Sequence, residues 1–366
     1  MKVLHIIPTL GVGGAEKMLV DMVESMVNRN INVEVLVLSQ EDNFYASQIE
    51  ILGVPLYYGK KDKVYHYSHI KTIRSFLKKN FDIVHAHLFA PQLFLAISKQ
   101  TIFTNSKFIT TEHSTHNRRR ENIIFKPIDK WIYNQYDTII TITKGTSYEL
   151  NKYLPSTLKK TIVIENGVNL EQYKNAIPLG REKLIPNYKE KDILILMVAA
   201  MRIQKDHETL IRSSKYLPSN YHIIFVGDGE RMKELQEYSS HYNHSNIHFL
   251  GRRSDIPSIM KTCDVFVLSS HWEGFGLVVI EAMAAGIPVI ASNVNGLKEV
   301  INNSGLLFDK GNEYELSQKI IQLAKNNQLR KKLINKGFDN IKRYEIKTTV
   351  DSYLNIYKQS CFKNDS

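Results

Sequence analysis

Residues Val265 to Ala285 read VFVLSSHWEGFGLVVIEAMAA, and this stretch decides the architecture. A short apolar run ends in Ser269 and Ser270, a turn carries Glu273 and two glycines, and an apolar helix-like segment follows with Glu281 inside it. The pattern is that of a buried strand delivering an acidic loop to a helix N-terminus, the repeating unit of a parallel α/β sheet. Gly274 and Gly276 permit a tight turn and a close approach of backbone N–H groups to a ligand. An ionised carboxylate only accepts hydrogen bonds, so two of them here point to a polyhydroxylated ligand whose hydroxyls donate. Any phosphate on that ligand then falls to backbone amides and to basic residues from elsewhere in the chain.

The string WEGFGLVVIEAMAAGIPVIAS, with Glu273 and Glu281 at its ends of interest, resembles the E-x7-E motif of the retaining glycosyltransferases of family 4. The resemblance implies an α/β fold of the GT-B type, in which two Rossmann-like, doubly wound domains face each other across a cleft that takes a nucleotide sugar. It extends over nearly the whole chain, most strongly from Ile193 to Phe308 and more loosely before Ile164.

Length agrees with two domains, since 366 residues exceed one ordinary doubly wound unit. The expected division is an acceptor-side domain over 1–174 and a nucleotide-sugar domain over 175–344. A terminal helix over about 345–366 is expected to return to the first domain, as the resemblance implies. The charged stretch 175–191, with Pro178, Gly180 and Pro186, reads as the linker. Hydrophobic content of 43% excludes a mostly disordered chain. Cys263 and Cys361 lie far apart and form no metal or redox pattern, which favours a reducing, cytoplasmic setting. The apolar run after Lys2 breaks at Pro8 and Gly11, so it reads as a first strand rather than a signal peptide or membrane span. The net charge of +11 suits an anionic partner without selecting nucleic acid, lipid or substrate.

Further candidates follow in chain order. After the first strand, Gly13 and Gly14 open a helix whose N-terminus can receive a phosphate or sugar, although GVGGAE lacks the full dinucleotide fingerprint. The segment Tyr67 to Asn80 places Lys71, Arg74, Lys78 and Lys79 on a helix, a face either simply solvated or turned to anionic lipid at the inner surface of the membrane. His85 and His87 share a strand face, with no third ligand placed beside them, so no metal site is expected. A strand delivers Glu112, His113 and Ser114 to a sheet edge; the resemblance sets His113 near the transferred hexosyl group. Arg118, Arg119 and Arg120 beside an aromatic-rich helix suit a lipid diphosphate better than nucleic acid, because no nucleic-acid module accompanies them. Asn169 stands where the family usually has aspartate, a departure that weakens a cap.

In the second half, Arg202 and Lys205 match a basic pair of the family, with Asp206 at its usual glycine position. Arg supplies a planar fork and Lys a point charge, a pairing suited to a diphosphate. The resemblance places Gly227 and Arg252 at the nucleotide, Glu281 at the ribose hydroxyls, and Glu273 at the transferred sugar. The N–H groups of Phe275, Gly276 and Leu277 reinforce that hold, and Gly14 meets the donor phosphate. No D-x-D pair stands at a strand end, so the expected enzyme needs no metal and no cofactor beyond its donor. The resemblance implies retaining transfer of a hexosyl or N-acetylhexosaminyl group from a UDP-sugar to a glycan or lipid-linked glycan in envelope polysaccharide synthesis. GDP-mannose as donor, a non-catalytic nucleotide-sugar-binding partner, and a UDP-sugar epimerase of the same fold are the alternatives.

Overall fold

A computed structural model describes residues 1–113, 118–242 and 246–362. The chain divides into two compact units, Met1–Gly167 together with the chain from Ile346 onward, and Val168–Glu345. The first unit holds a seven-stranded sheet. Its strands are β1 (Lys2–Ile7), β2 (Asn32–Val37), β3 (Leu56–Tyr58), β4 (Ile83–His87), β5 (Lys107–Glu112), β6 (Thr138–Thr141) and β7 (Thr161–Val163). They run in the order β3-β2-β1-β4-β5-β6-β7, every pair parallel. Parallel strands joined by helical crossovers are covered on both faces, which is why β1 after Lys2 and the whole of β4 are buried without alternation, their histidines included. The crossover helices include α1 (Gly14–Val27), α2 (Ala46–Ile51), α3 (Ser68–Leu77), α4 (Phe89–Lys99), α5 (Lys126–Asn134) and α6 (Lys144–Tyr153).

The second unit begins with α7 (Leu170–Lys174) and builds a six-stranded parallel sheet from β8 (Ile193–Val198), β9 (Tyr221–Val226), β10 (Ile247–Phe249), β11 (Val265–Leu268), β12 (Val289–Ser292) and β13 (Leu306–Phe308). The order is β10-β9-β8-β11-β12-β13. Helices α8 (His207–Ser213), α9 (Met232–Ser240), α10 (Ile256–Thr262), α11 (Leu277–Ala285), α12 (Leu297–Ile301), α13 (Glu313–Lys325) and α14 (Asn327–Ile341) complete it. Apart from Glu281, helix α11 is apolar all round and almost wholly buried, as a core helix should be. It opens after Gly276 at φ 90° and closes on Gly286 at φ 79°, backbone angles that glycine reaches without the steric cost of a Cβ.

The final helix, α15 (Ile346–Phe362), belongs to the first unit. It buries Val350, Tyr353 and Tyr357, and Arg29 of the loop after α1 ties to it through the Lys347 carbonyl (3.1 Å) and Asp351 (3.0 Å). The unit boundary lies at Gly167/Val168, seven residues before the position expected from sequence, because α7 packs on α10 and α11. Residues 175–191 are likewise no free linker. Arg181 forks onto Asp264 (2.8 and 3.0 Å), Leu179 N–H donates to Thr262 Oγ1 (2.8 Å), and Leu184 and Ile185 are buried. Asn169, far from weakening a cap, serves as one: its Oδ1 accepts from Gln172 N–H at the start of α7 (3.3 Å).

Candidate active site

In the second sheet the strand order reverses between the neighbours β8 and β11, and open α/β sheets bind ligands beyond the carboxyl ends of the strands at such a point. The loops that leave these two strands are fastened together. Ser269 Oγ donates to the Asp206 carbonyl (2.7 Å), His271 N–H to the Gln204 carbonyl (2.8 Å), and Gln204 Nε2 to the Trp272 carbonyl (2.9 Å). At the centre, Lys205 Nζ donates to Glu273 Oε1, which also accepts from Ser270 Oγ (2.9 Å). Glu273 is buried and Lys205 is partly exposed, so the pair keeps a cation at the mouth of the junction. Beside it, Arg202 is exposed and its guanidinium makes no ion pair among the described residues.

Asp206 takes left-handed angles (φ 48°, ψ 53°), which explains the glycine usual there. Aspartate adds something glycine lacks: Oδ2 accepts from Thr209 Oγ1 (2.6 Å) and Oδ1 from Thr209 N–H (3.3 Å), capping α8. Within α11, Val279 N–H closes on the Gly276 carbonyl (2.9 Å). The amides of Phe275, Gly276 and Leu277 therefore precede the helical ladder, and no side chain caps them. The Phe275 side chain packs edge-on against Tyr344. Glu281 is buried within α11.

Gly296 supports the acidic loop from behind. It holds φ at 87°, and a Cβ there would stand 2.6 Å from the Glu273 carbonyl oxygen. Gly296→Ala is expected to destabilise the protein by about 2 kcal/mol through strain and displaced backbone. Denaturant unfolding measures this, and the loss should bring weaker donor binding because Glu273 shifts with its loop.

Other expected nucleotide contacts are engaged within the unit. Gly227, at φ 138°, lies where a Cβ would run into the Ala199 carbonyl, and its N–H donates to the Gly251 carbonyl (2.9 Å). Arg252 pairs with Asp228 (3.3 Å), both half-exposed. The structure thus brings Lys205 and Glu273 into contact and sets Gly227 and Arg252 together on the neighbouring β9 and β10 edge.

The first unit reverses its strand order between β1 and β4. Gly13 is extended (φ −164°) and offers α1 no side-chain cap of its own, and the Glu16 carboxylate of the first turn lies against it. His113 directly follows β5, its Nε2 covered and without a hydrogen-bond partner among the described residues. Ser114 lies outside the described residues. Glu112 belongs to β5 and accepts from Tyr133 O–H and from Arg120 (2.9 Å). Arg119 pairs with Asp129 (3.3 Å) and covers the Phe89 ring. Two of the three arginines expected to face a lipid diphosphate are therefore tied to carboxylates, and the Arg118 side chain lies outside the described set.

Beneath His113 is a buried imidazole cluster. The register pairs His5 with His85, so β1 supplies the third histidine that reading β4 alone does not place. Among the described residues, His5, His85 and His87 form one group whose nitrogens lie within 4.8 Å of one another. Those nitrogens are largely occupied. His5 Nδ1 meets His87 Nε2 (3.0 Å), while His85 meets Tyr357 O–H through Nδ1 (2.6 Å) and Thr111 through Nε2 (2.8 Å). His5 Nε2 and His87 Nδ1 are buried without a hydrogen-bond partner among the described residues, but both His85 nitrogens are engaged, so a cation held by all three rings would have to break a His85 bond, and no carboxylate belongs to the group to offset its charge. Burial pushes His5 down to about 3 and His113 to about 4, and holds His85 and His87 well below the ordinary range, with neighbouring imidazoles adding to it.

Sequence reasoning gave no role to Ser270, Gln204 or His5. The first two stand beside recognised residues, but only adjacency of β8 and β11 shows what they hold. For His5 the available signal is its position on a strand that must neighbour H-x-H in a sheet of this order.

Comparison with known proteins agrees with this architecture. Residues 12–172 match the family described as Glycosyltransferase Family 4, and residues 181–339 match Glycosyl transferases group 1. An uncharacterised glycosyltransferase of Methanocaldococcus jannaschii is 30% identical over 92% of this chain and 93% of its own. The Escherichia coli UDP-Gal:alpha-D-GlcNAc-diphosphoundecaprenol alpha-1,3-galactosyltransferase is 34% identical over 51% of this chain and 52% of its own. Among solved structures, Anabaena HepE in complex with UDP-glucose superposes with a TM-score of 0.85 at 20% identity, over 98% of this chain and all of that one. Two Rossmann-like parallel sheets, two family matches that together span both units, and a relative similar along its whole length make this chain a member of the GT-B glycosyltransferases.

Proposed function

We propose that the protein transfers a hexosyl or N-acetylhexosaminyl group, with retention, from a UDP-sugar to a lipid-linked glycan in envelope polysaccharide synthesis. The observation that carries this reading is the junction at the β8–β11 switch point, where Lys205 sits on the buried Glu273 with Arg202 open beside it. A departing nucleoside diphosphate needs its growing charge met by fixed donors. Arg202, Lys205 and the uncapped amides at the start of α11 supply that charge without a divalent ion. Glu281 takes the ribose hydroxyls and Glu273 the sugar hydroxyls. Because Glu273 Oε1 already accepts from Lys205 and Ser270, Glu273 is assigned to holding the sugar rather than to covalent attack. His113 is assigned to the hexosyl group and Gly14 to the donor phosphate, on the resemblance. The donor class and the lipid-linked acceptor draw support from the names of the Escherichia coli relative and of the HepE complex.

The test is turnover of UDP-galactose, UDP-glucose and their N-acetylated counterparts with diphosphoundecaprenol-linked N-acetylglucosamine, in buffer containing EDTA. Acceptor-dependent release of UDP and a product whose anomeric proton signal matches the donor's configuration support the proposal. Release of a free epimerised sugar, turnover only of GDP-mannose, or abolition by EDTA would each contradict it.

A further inference from the structure

Asp206 stands where the family usually carries glycine, and its cap to Thr209 uses only part of what the carboxylate offers. Its Oδ2 also lies 3.5 Å from Nδ1 of His271, on the loop that leaves β11. That nitrogen is buried and has no hydrogen-bond partner among the described residues. The Asp206 side chain is 4% exposed and the imidazole 34%. With Nδ1 covered, the exposed part of the ring is the edge away from it, where Nε2 lies. A bare ring lone pair facing a carboxylate is repulsive, so the tautomer that suits this geometry carries its proton on Nδ1 and leaves Nε2 at the surface. The residue is fixed twice more: its backbone N–H donates to the Gln204 carbonyl (2.8 Å), and its ring stacks with Trp272 (6.2 Å between centroids).

The surroundings give that outer edge an anion to meet. His271 lies between Ser270, which donates to Glu273, and Trp272, whose carbonyl accepts from Gln204, so it belongs to the fastened loops that present Lys205. The charged groups about it are Asp206, the Lys205–Glu273 pair, Arg202 on the facing loop and Glu208, which acts on Asp206. Burial raises the Asp206 carboxyl above its usual value, whereas the Thr209 hydrogen bonds and His271 favour its charged form. An imidazole changes charge between about pH 5 and 8. A diphosphate arriving beside it favours the protonated ring, and a carboxylate behind the ring stabilises the imidazolium.

We propose that Asp206 and His271 form a carboxylate–imidazole pair whose Nε2 takes up a proton and binds the donor's diphosphate, as a third cation beside Arg202 and Lys205 that pH switches on and off. The proton comes from solvent and returns to it when the nucleotide leaves; no bond to the donor forms or breaks. The pair deepens the proposed donor site and rests on it. A chain with the usual glycine at this position lacks the carboxylate and so lacks the device.

The test is calorimetric titration of UDP-glucose into the full-length protein in EDTA, from about pH 8 to about pH 6 and in buffers of different ionisation enthalpy. The intact donor is the better probe than UDP, because it lacks the terminal phosphate whose second ionisation falls at about pH 6. Every linked proton then belongs to the protein, and His113, held at about 4, stays neutral across the range. Wild type is expected to bind at least about tenfold more tightly as pH falls, the scale of a hydrogen bond to a charged group, with net proton uptake on binding. His271→Gln should match wild type at about pH 8 and stay flat below it. Asp206→Asn keeps a residue that tolerates the left-handed backbone and an oxygen for Thr209, so its melting temperature should hold while most of the tightening is lost. The proposal is overturned if wild-type affinity does not change with pH, or if either variant keeps the whole response. It is also overturned if His271→Gln lowers affinity equally at every pH, as a packing role would. UDP-glucose binding without pH dependence would sink the pair and leave the donor site standing; no binding at any pH would sink both.

Discussion

Replacing Lys205 by methionine is expected to lower kcat/KM for the donor by about a thousandfold, the scale on which removing one fixed donor to a developing anion acts. The fall should appear mainly in kcat, because the charge that Lys205 meets grows as the diphosphate departs. The same substitution leaves Glu273 buried with Ser270 as its remaining hydrogen-bond partner in the pair's place. A stability loss of about 1–3 kcal/mol accompanies an uncompensated buried group. Glu273→Gln separates the two effects. Combined with Lys205→Met it should restore most of that stability while leaving turnover low, and the double-mutant cycle should give a coupling of about 1–3 kcal/mol. A Lys205→Met enzyme that keeps wild-type kcat would remove lysine from the chemistry and leave the ion pair purely structural.

Mild acid is expected to destabilise the first unit. His5, His85 and His87 are fully buried and titrate far below the ordinary 6.5. Their folded values are depressed, so between those values and 6.5 the unfolded chain binds more protons, and stability falls as pH falls through that window. At about pH 5.5 each neutral buried histidine costs about 1.4 kcal/mol relative to pH well above 6.5, so the three together remove about 4 kcal/mol. That is comparable with the whole stability of many domains, about 5–15 kcal/mol. His113, held at about 4, adds in the same direction. Thermal melts from about pH 7.5 down to about pH 5.5 should show a steep drop in midpoint. His5→Phe, which removes one of these four titrating rings, should flatten the slope by about a quarter. A profile flat across this range would contradict neutral burial of the cluster.

These two predictions draw on different depths of the sequence. The paired sheets were legible because each apolar run of four to six residues is followed by a turn and a helical period, and Val265 to Ala285 repeats what Lys2 to Val27 begins. The elements are local, so local pattern reaches them. The acidic loop was legible as a motif, yet the contact of Glu273 with Lys205 spans 68 positions and appears only when β8 and β11 lie side by side. His5 escaped notice for the same reason: a lone histidine in KVLHII looks like an ordinary core residue until parallel register sets it beside His85. Arg181 reads as linker charge until its fork onto Asp264 shows that this stretch is already tied into the second unit. Asp206 shows the converse. It departs from a family glycine, but the backbone angle that glycine serves is kept, and a helix cap is added. Exposure of Ile123, Ile124 and Ile128 was likewise hidden, because an isoleucine-rich stretch beside a helix reads as core until its other face is seen to be filled.

The proposed function requires the β8–β11 junction to bind the nucleoside diphosphate part of a UDP-sugar through fixed cations and Glu281. Calorimetric titration of UDP into the purified protein, with EDTA and then with magnesium, tests it most directly when repeated on Glu281→Ala and Arg202→Ala. Micromolar UDP affinity is expected, independent of magnesium and weakened by about tenfold or more in each variant. Tighter binding of GDP than UDP, affinity that appears only with magnesium, or UDP binding untouched by both substitutions would contradict it.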